Sequence, residues 1–172
     1  MEMEQLKEKA QSEQFLVFLL DKKNYGFPIL EIDGIISIPK VTPLPKAPPF
    51  VKGVINIREQ IVPIIDLRLT FNMTQIEYNE QTCIVLIKVP IKNTEKLVGF
   101  VVDTVSEVFD IPISEIEEGA NCGVEIDGEF LRGLGKAKNK IIILLNIAKI
   151  INTSSTICVL NRNLEYLNEL SK

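Results

Sequence analysis

The chain has 172 residues, a formal net charge of −4, a hydrophobic fraction of 46% with only 6% aromatic residues, and no histidine. Missing histidine removes the usual general base, the triad relay, the phosphorelay acceptor and the commonest metal ligand together, which sets most enzyme readings aside. Positive and negative charges are interspersed, so no basic stripe offers a footprint for nucleic acid, and no run approaches the roughly 18 apolar residues of a membrane span. The length allows one domain, or two small lobes sharing a core, without staples. Ile, Val and Leu supply most of the apolar mass, which favours a sheet core. Cys83, Cys122 and Cys158 are an odd, widely spaced set, neither a disulfide framework nor a zinc signature. No cofactor or metal is expected, and the polar start without a signal-like apolar run predicts a cytoplasmic protein.

Residues 1–13 read as a loose N-terminal arm. Phe15 to Leu20 is a buried strand, Asp21 to Asn24 a polar turn, and Tyr25 to Ile29 the returning strand, with Pro28 suited to an edge or bulge. Leu30 to Pro39 predicts a further strand, straight or kinked. Five of the nine prolines fall between Pro39 and Pro49, which makes this stretch an extended surface connection. Val51 to Ile57, a turn at Arg58-Glu59-Gln60 and Ile61 to Asp66 form a hairpin, with Leu67 to Phe71 leading out. After the polar linker NMTQIEYNEQ, strands are predicted over Thr82 to Val89, Leu97 to Asp103 and Thr104 to Ile111. A second hairpin joins Leu131 to Leu134 with Ile141 to Ile147. Ile157, Leu160, Leu164 and Leu167 then recur at helical spacing behind Thr153-Ser154-Ser155, predicting a capped amphipathic helix over 153–172.

Two blocks of this plan repeat. FVKGVINIREQIVPIIDL from Phe50 aligns without a gap on FLRGLGKAKNKIIILLNI from Phe130, Gly53 on Gly133 and Asp66 on Asn146. Upstream, Gly26 matches Gly99, and Ile29, Ile32, Ile35 and Pro39 match Val102, Val105, Val108 and Pro112. The chain reads as two copies of one β-rich unit. Small units of about five strands commonly curl to protect their edges. The expected architecture is therefore mainly β, two small five-stranded barrels packed side by side with a C-terminal helix.

Candidate chemistry is thin. Glu115, Glu117 and Glu118 are read as a hydrophilic loop with nothing to desolvate them, and Gly133 and Gly135 meet neither the Walker spacing nor the dinucleotide fingerprint. Asp66-Leu67-Arg68 reads as an ion pair or capping bond at a strand end. Arg58, at a hairpin tip beside Asn56, offers several donors to another protein, or is a solvated loop arginine. Binding is the function that remains.

FVKGVINIREQIVPIIDLR resembles the signature of the CheW family of chemotaxis coupling proteins, and QFLVFLLDKKNYGFPI, VGFVVDTVSEV and FLRGLGKAKNKIIILLNIAKI are similar to three further segments of that family. The resemblance covers residues 14–151 and implies two SH3-like barrel lobes, roughly 14–75 and 80–151. It implies a non-enzymatic adaptor joining the cytoplasmic tip of a chemoreceptor to the regulatory domain of the CheA histidine kinase, without direct membrane insertion, and recruited to membrane-bound receptor arrays. By position, the receptor groove would be lined by Leu16, Ile29, Ile32, Ile35, Val105 and Ser106, and the kinase or partner surface would include Gly53, Asn56 and Arg58. Barrel-against-barrel contacts would alternate into self-associating rings. One departure stands out: Glu59 occupies a turn position where the family usually has glycine, so either the turn differs or Glu59 bears the strain of a positive φ. Outside the family, a barrel that senses a small molecule between its lobes is the competing reading, and a coupling module cut from a larger signalling protein is a third.

Overall fold

The computed structural model describes residues 11–91, 93–118 and 128–151; the predicted helix over 153–172 and most of the N-terminal arm lie outside these. In chain order the elements are β1 (Ser12–Leu20), β2 (Lys23–Pro28), a 3-10 turn (Ile29–Glu31), β3 (Ile32–Ser37), β4 (Val51–Ile57), β5 (Gln60–Asp66) and α1 (Leu67–Thr70). The second half supplies β6 (Cys83–Ile91), β7 (Thr94–Val102), β8 (Thr104–Pro112), β9 (Ile116–Glu118), β10 (Leu131–Ala137), β11 (Lys140–Leu145) and α2 (Ile147–Ile151). Single 3-10 turns, Ile113–Glu115 and Gly128–Phe130, precede β9 and β10.

These strands form a six-stranded sheet in the order β8-β1-β2-β11-β10-β9 and a five-stranded sheet in the order β3-β6-β7-β5-β4. Removing β9 leaves two identical plans once β1, β2, β3, β4 and β5 are matched with β6, β7, β8, β10 and β11. The internal repeat is therefore structural, and its register agrees residue by residue: Gly26 faces Leu144 in the parallel pair of β2 with β11, and Gly99 faces Ile64 in the parallel pair of β7 with β5.

The division into lobes at 14–75 and 80–151 is not the one the sheets make. Each sheet takes the first hairpin from one copy and the third strand and second hairpin from the other. The chain changes sheets where Pro28 ends β2 and the 3-10 turn re-aims it, and again at Asp103 between β7 and β8. The physical reason is burial on both faces. In β1, Phe15 and Val17 face a cluster within the six-stranded lobe while Leu16, Phe18 and Leu20 face a cluster shared between the sheets. In β6, Ile84 and Leu86 face the equivalent cluster of the other lobe while Val85, Ile87 and Val89 face the shared one. A copy kept to itself would leave one of these faces in water, at about 25 cal/mol for each Å² of apolar surface.

The sheets curl but, by their ladders, are open rather than closed barrels. Curling brings β10 across β8, so that a Cβ on Gly135 would lie 2.9 Å from Ile111 Cδ1. In the five-stranded sheet the gap between the end strands β3 and β4 is spanned by the proline-rich connection. It contributes one bridge, Thr42 with Val54, through two hydrogen bonds of 2.9 Å. Its prolines have no amide hydrogen with which to continue a ladder. Across the other lobe β9 is only three residues long and pairs with β10 alone.

The bulge glycines show how tightly this is built. Register slips at Val51/Gly53 and again at Leu131/Gly133. Gly53 has φ of 142°, and a Cβ there would stand 2.1 Å from the Thr42 carbonyl oxygen. Gly53→Ala is expected to cost at least about 2 kcal/mol, because backbone strain and a backbone clash coincide; urea unfolding of the variant beside the parent measures it.

Candidate partner-binding surfaces

The residues proposed for a receptor groove divide by exposure. Leu16 is 4% exposed and belongs to the shared core, so it supports the groove from beneath rather than lining it. Ile29, Ile32 and Val105 are half-buried and pack against that same core from the 3-10 turn, β3 and β8. Ile35 is 44% exposed on β3, and its repeat counterpart Val108 is 43% exposed on β8. Ser106 is exposed. β3 and β8 are the outermost strands of their sheets, β3 paired only with β6 and β8 only with β1. The fold thus presents two equivalent edges, each turning one of these side chains outward, Ile35 or Val108, and one against the shared core, Ile32 or Val105. Val108 was visible in the sequence only through the repeat.

On the other proposed surface Gly53 is buried by its approach to Thr42, a structural role, while Asn56 is exposed near the end of β4. Arg58 sits in a two-residue turn between the paired Ile57 and Gln60, with φ of 49°, followed by Glu59 at 63°. Both values are positive, the conformation that suits the right-handed twist of a hairpin. Glu59 therefore takes the strained, positive-φ conformation in a two-residue turn. Lys138 and Asn139 do the same in the second copy, at 51° and 62°. Arg58 donates to Asp33 on β3 at 2.6 Å, yet its side chain remains 71% exposed. The tip is tied to the edge strand by one nitrogen and leaves the rest of the guanidinium open. Asp33 was not singled out from sequence because only the fold of the sheet brings it to Arg58. Together with Lys88, Glu95 and Lys96 the pair borders a shallow recess of about 250 Å³.

Asp66, Arg68 and Asp103 form a polar joint between the sheets. Asp66 caps α1 by accepting from the Arg68 amide at 2.9 Å, and its other oxygen accepts from the Tyr78 hydroxyl at 2.7 Å. Arg68 is buried, and its guanidinium donates to both oxygens of Asp103 at 2.7 and 2.6 Å and to the Thr74 carbonyl at 3.1 Å. Asp103 accepts from the Asp21 amide at 2.9 Å, and its own amide donates to the Leu19 carbonyl at 3.1 Å. The bonds to Asp103 push the Arg68 guanidinium above its ordinary pKa, against the opposing effect of burial. Burial, then the bond to Asp66, pushes the Tyr78 phenol up as well. Of the two sequence readings of Asp66-Leu67-Arg68, an ion pair or a capping bond, Asp66 makes the cap, while the ion pair of Arg68 is with the distant Asp103. Among the described residues no group of histidine, cysteine, aspartate and glutamate has the arrangement of a metal site.

Residues 14–155 match the family model of the CheW-like domain. This chain belongs to the CheW family. It is 34% identical to the chemotaxis protein CheW of Klebsiella aerogenes over 87% of both chains. It is 32% identical to that of Thermotoga maritima over 87% of this chain and 94% of the relative. The solved structure of the scaffolding protein TtCheW from Thermoanaerobacter tengcongensis superposes with a TM-score of 0.75 at 27% identity, over 84% of this chain and 95% of that one. The chain is thus a CheW-type chemotaxis coupling adaptor. The competing idea of a ligand-sensing barrel finds no support, and the space between the lobes that it requires is filled by the shared core of this CheW-family fold.

Three outcomes follow from this CheW geometry. Arg68→Met should destabilise the fold by about 3 kcal/mol, since it leaves Asp103 half-buried without its cation. Adding Asp103→Asn should cost much less than the sum of the two single changes, as a double-mutant cycle in urea will read. Glu59→Gly, by relieving the positive φ, should raise stability by about 1 kcal/mol, seen as a higher Tm.

Proposed function

We propose that this chain is a non-enzymatic cytoplasmic adaptor that holds the helical tip of a chemoreceptor against one surface and the regulatory domain of the CheA kinase against another. Membership of the CheW family carries the reading. The two exposed sheet edges support it. Ile29, Ile32, Ile35, Val105 and Ser106 line the receptor groove in this reading, with Ile35 and Val105 meeting the apolar face of a receptor helix, a docking mode that partly exposed aliphatic side chains suit. Asn56 and Arg58 serve the kinase, where the free donors of the guanidinium face a carboxylate or carbonyl of the partner. Leu16 and Gly53 keep structural roles beneath these surfaces.

Coupling then works by geometry. A rigid adaptor that touches both partners lets a shift in the receptor tip favour one kinase state over another by its difference in binding free energy. The kinase regulatory domain resembles this fold, so lobe-to-lobe contacts alternate into rings within receptor arrays at the membrane.

A pull-down with a receptor cytoplasmic fragment and the CheA regulatory domain, each offered separately, tests the reading. The parent should retain both. Ile32→Asp and the more exposed Ile35→Asp should each weaken receptor capture about tenfold or more through loss of apolar contact, while capture of the kinase domain and the far-UV spectrum stay unchanged. Retention of neither fragment by the folded parent would overturn the adaptor role.

A further inference from the structure

Glycine weakens a strand, so its presence in one needs a reason. Gly26, Gly53, Gly99, Gly133 and Gly135 each have one, since a Cβ there would stand 3.2 Å or less from a neighbouring atom. Gly34 has no such reason. Its φ lies outside the left-handed region, and apart from its chain neighbours no atom lies within 4 Å of where its Cβ would stand. It sits in β3, the end strand of the five-stranded sheet, between the exposed Ile35 and Asp33, which holds Arg58. The strands of this sheet are described throughout, apart from the side chain of Ile91, as are the turns between its hairpin strands, apart from Lys92.

The repeat shows what a side chain does at this position. Ile35 pairs with Val85 and Ile32 with Ile87 across β3 and β6, as Val108 pairs with Leu16 and Val105 with Phe18 across β8 and β1. Gly34 therefore corresponds to Glu107. Glu107 accepts from Lys138 Nζ at 3.3 Å, and Lys138, with φ of 51°, holds the place of Arg58 at the tip of the second hairpin. The second copy thus gives its tip cation a carboxylate from the position that Gly34 leaves bare. In the first copy Asp33, one residue earlier, engages Nη2 of Arg58 alone. Among the described residues Nε and Nη1 of Arg58 have no acceptor, and a guanidinium carries five N–H donors where an ammonium carries three. Asp33 ties Arg58 to the residue beside Gly34 and leaves it able to take a second carboxylate. Gly34 faces Leu86 across the ladder, and Lys88 follows on the same face of β6. The recess of about 250 Å³ at this end of the lobe has the half-buried Leu97 as an apolar wall. At its rim Arg58, Lys88 and Lys96 stand against Asp33 and Glu95, three cations to two carboxylates and so one positive charge in excess. Among the described residues Lys88, Glu95 and Lys96 make no ion pair.

We propose that Gly34 is the point at which a partner protein lays an aspartate or glutamate side chain into this recess, its carboxylate accepting from the free nitrogens of Arg58 and from Lys88. The partner supplies here what Glu107 supplies to Lys138 in the second copy. Glycine lets the partner's backbone come close to β3, where a side chain would hold it off. The partner is the kinase regulatory domain, which rests on the adaptor reading and its assignment of Arg58. Gly34 and Lys88 then join Arg58 as determinants of that contact, and Asp33 positions the guanidinium. Side chains at positions 34 and 35 point to opposite faces of β3, so the receptor groove is spared.

The test measures binding of the CheA regulatory domain and of a receptor cytoplasmic fragment to the full chain and to three variants. Gly34→Glu gives the first copy the carboxylate of the second, and should weaken kinase-domain binding at least about tenfold by repelling the partner's acid and occupying Arg58. Gly34→Gln, of equal size and uncharged, should weaken it only about threefold. Lys88→Ala should weaken it about threefold, and added salt should narrow the gap between the two Gly34 variants. Receptor binding should stay unchanged in all three, and Tm should not fall, since a Cβ at Gly34 meets nothing. On the ¹⁵N-labelled chain the kinase domain should move the amide signals of Gly34, Arg58 and Lys88. Equal losses from Gly34→Glu and Gly34→Gln, no loss from Gly34→Glu, loss of receptor binding instead, or shifts confined to other surfaces would overturn the proposal. So would shifts at these three residues on removing residues 1–10, which would give the recess to the chain's own arm, or concentration-dependent shifts there without partner, which would give it to a second copy. Failure of the adaptor reading abolishes binding of both fragments by the parent, whereas failure of this proposal alone leaves the parent's binding intact.

Discussion

The shared apolar layer between the two sheets is the constraint on which the rest of this fold depends. Leu16, Phe18, Phe27, Val85, Phe100 and Leu145 all project into it, and they come from strands of both copies and both sheets. The same strands turn alternate residues into the separate core of each lobe, which is why β1, β6 and β11 read as nearly unbroken apolar runs. Exchange of strands between copies follows from this double burial. Once β1 and β2 are enclosed by β8 and β11, neither lobe can come apart without exposing the layer between them.

That arrangement decides where binding surfaces are possible. Strands buried on both faces have nothing to offer a partner, so the outward surface belongs to the sheet ends, the hairpin tips and the crossovers. β3 and β8 are those ends. Their half-buried Ile32 and Val105 reach down to the shared layer, which makes the edges firm. One crossover is locked by Arg68 and Asp103, and the other carries Leu30 outward. A duplicated fold has in this way become unequal in its surface while remaining nearly equal in its core.

Much of this was legible from residues alone. Apolar runs bounded by polar turns placed the strands, and matching glycines and connection order revealed the duplication. The polar pair Asp66 and Arg68 announced a joint, because a carboxylate and a guanidinium beside an apolar run need partners. The exposure of individual groove candidates was not legible. Leu16 and Ile35 are both aliphatic strand residues, and only the packing of a second sheet over β1 makes one core and the other surface. Likewise Gly53 and Arg58 stand five residues apart in one hairpin, yet the first meets the Thr42 carbonyl and the second opens to solvent.

The turn beside Arg58 illustrates the two contributions together. Glu59 departs from the glycine usual in its family, and from sequence two outcomes stood open, a changed turn or a strained one. The fold chose strain, since the register of Ile57 with Gln60 leaves room for two residues only and the twist of the strands requires positive φ at both. The amino-acid sequence by itself determined the sheet-rich class, the twofold repeat, the scarcity of catalytic groups and the family. Tertiary structure alone decided which copy's strands share a sheet, how far each sheet closes, and which apolar residues reach solvent. Those choices rest on contacts between distant segments, where burial of a second strand face outweighs any local preference.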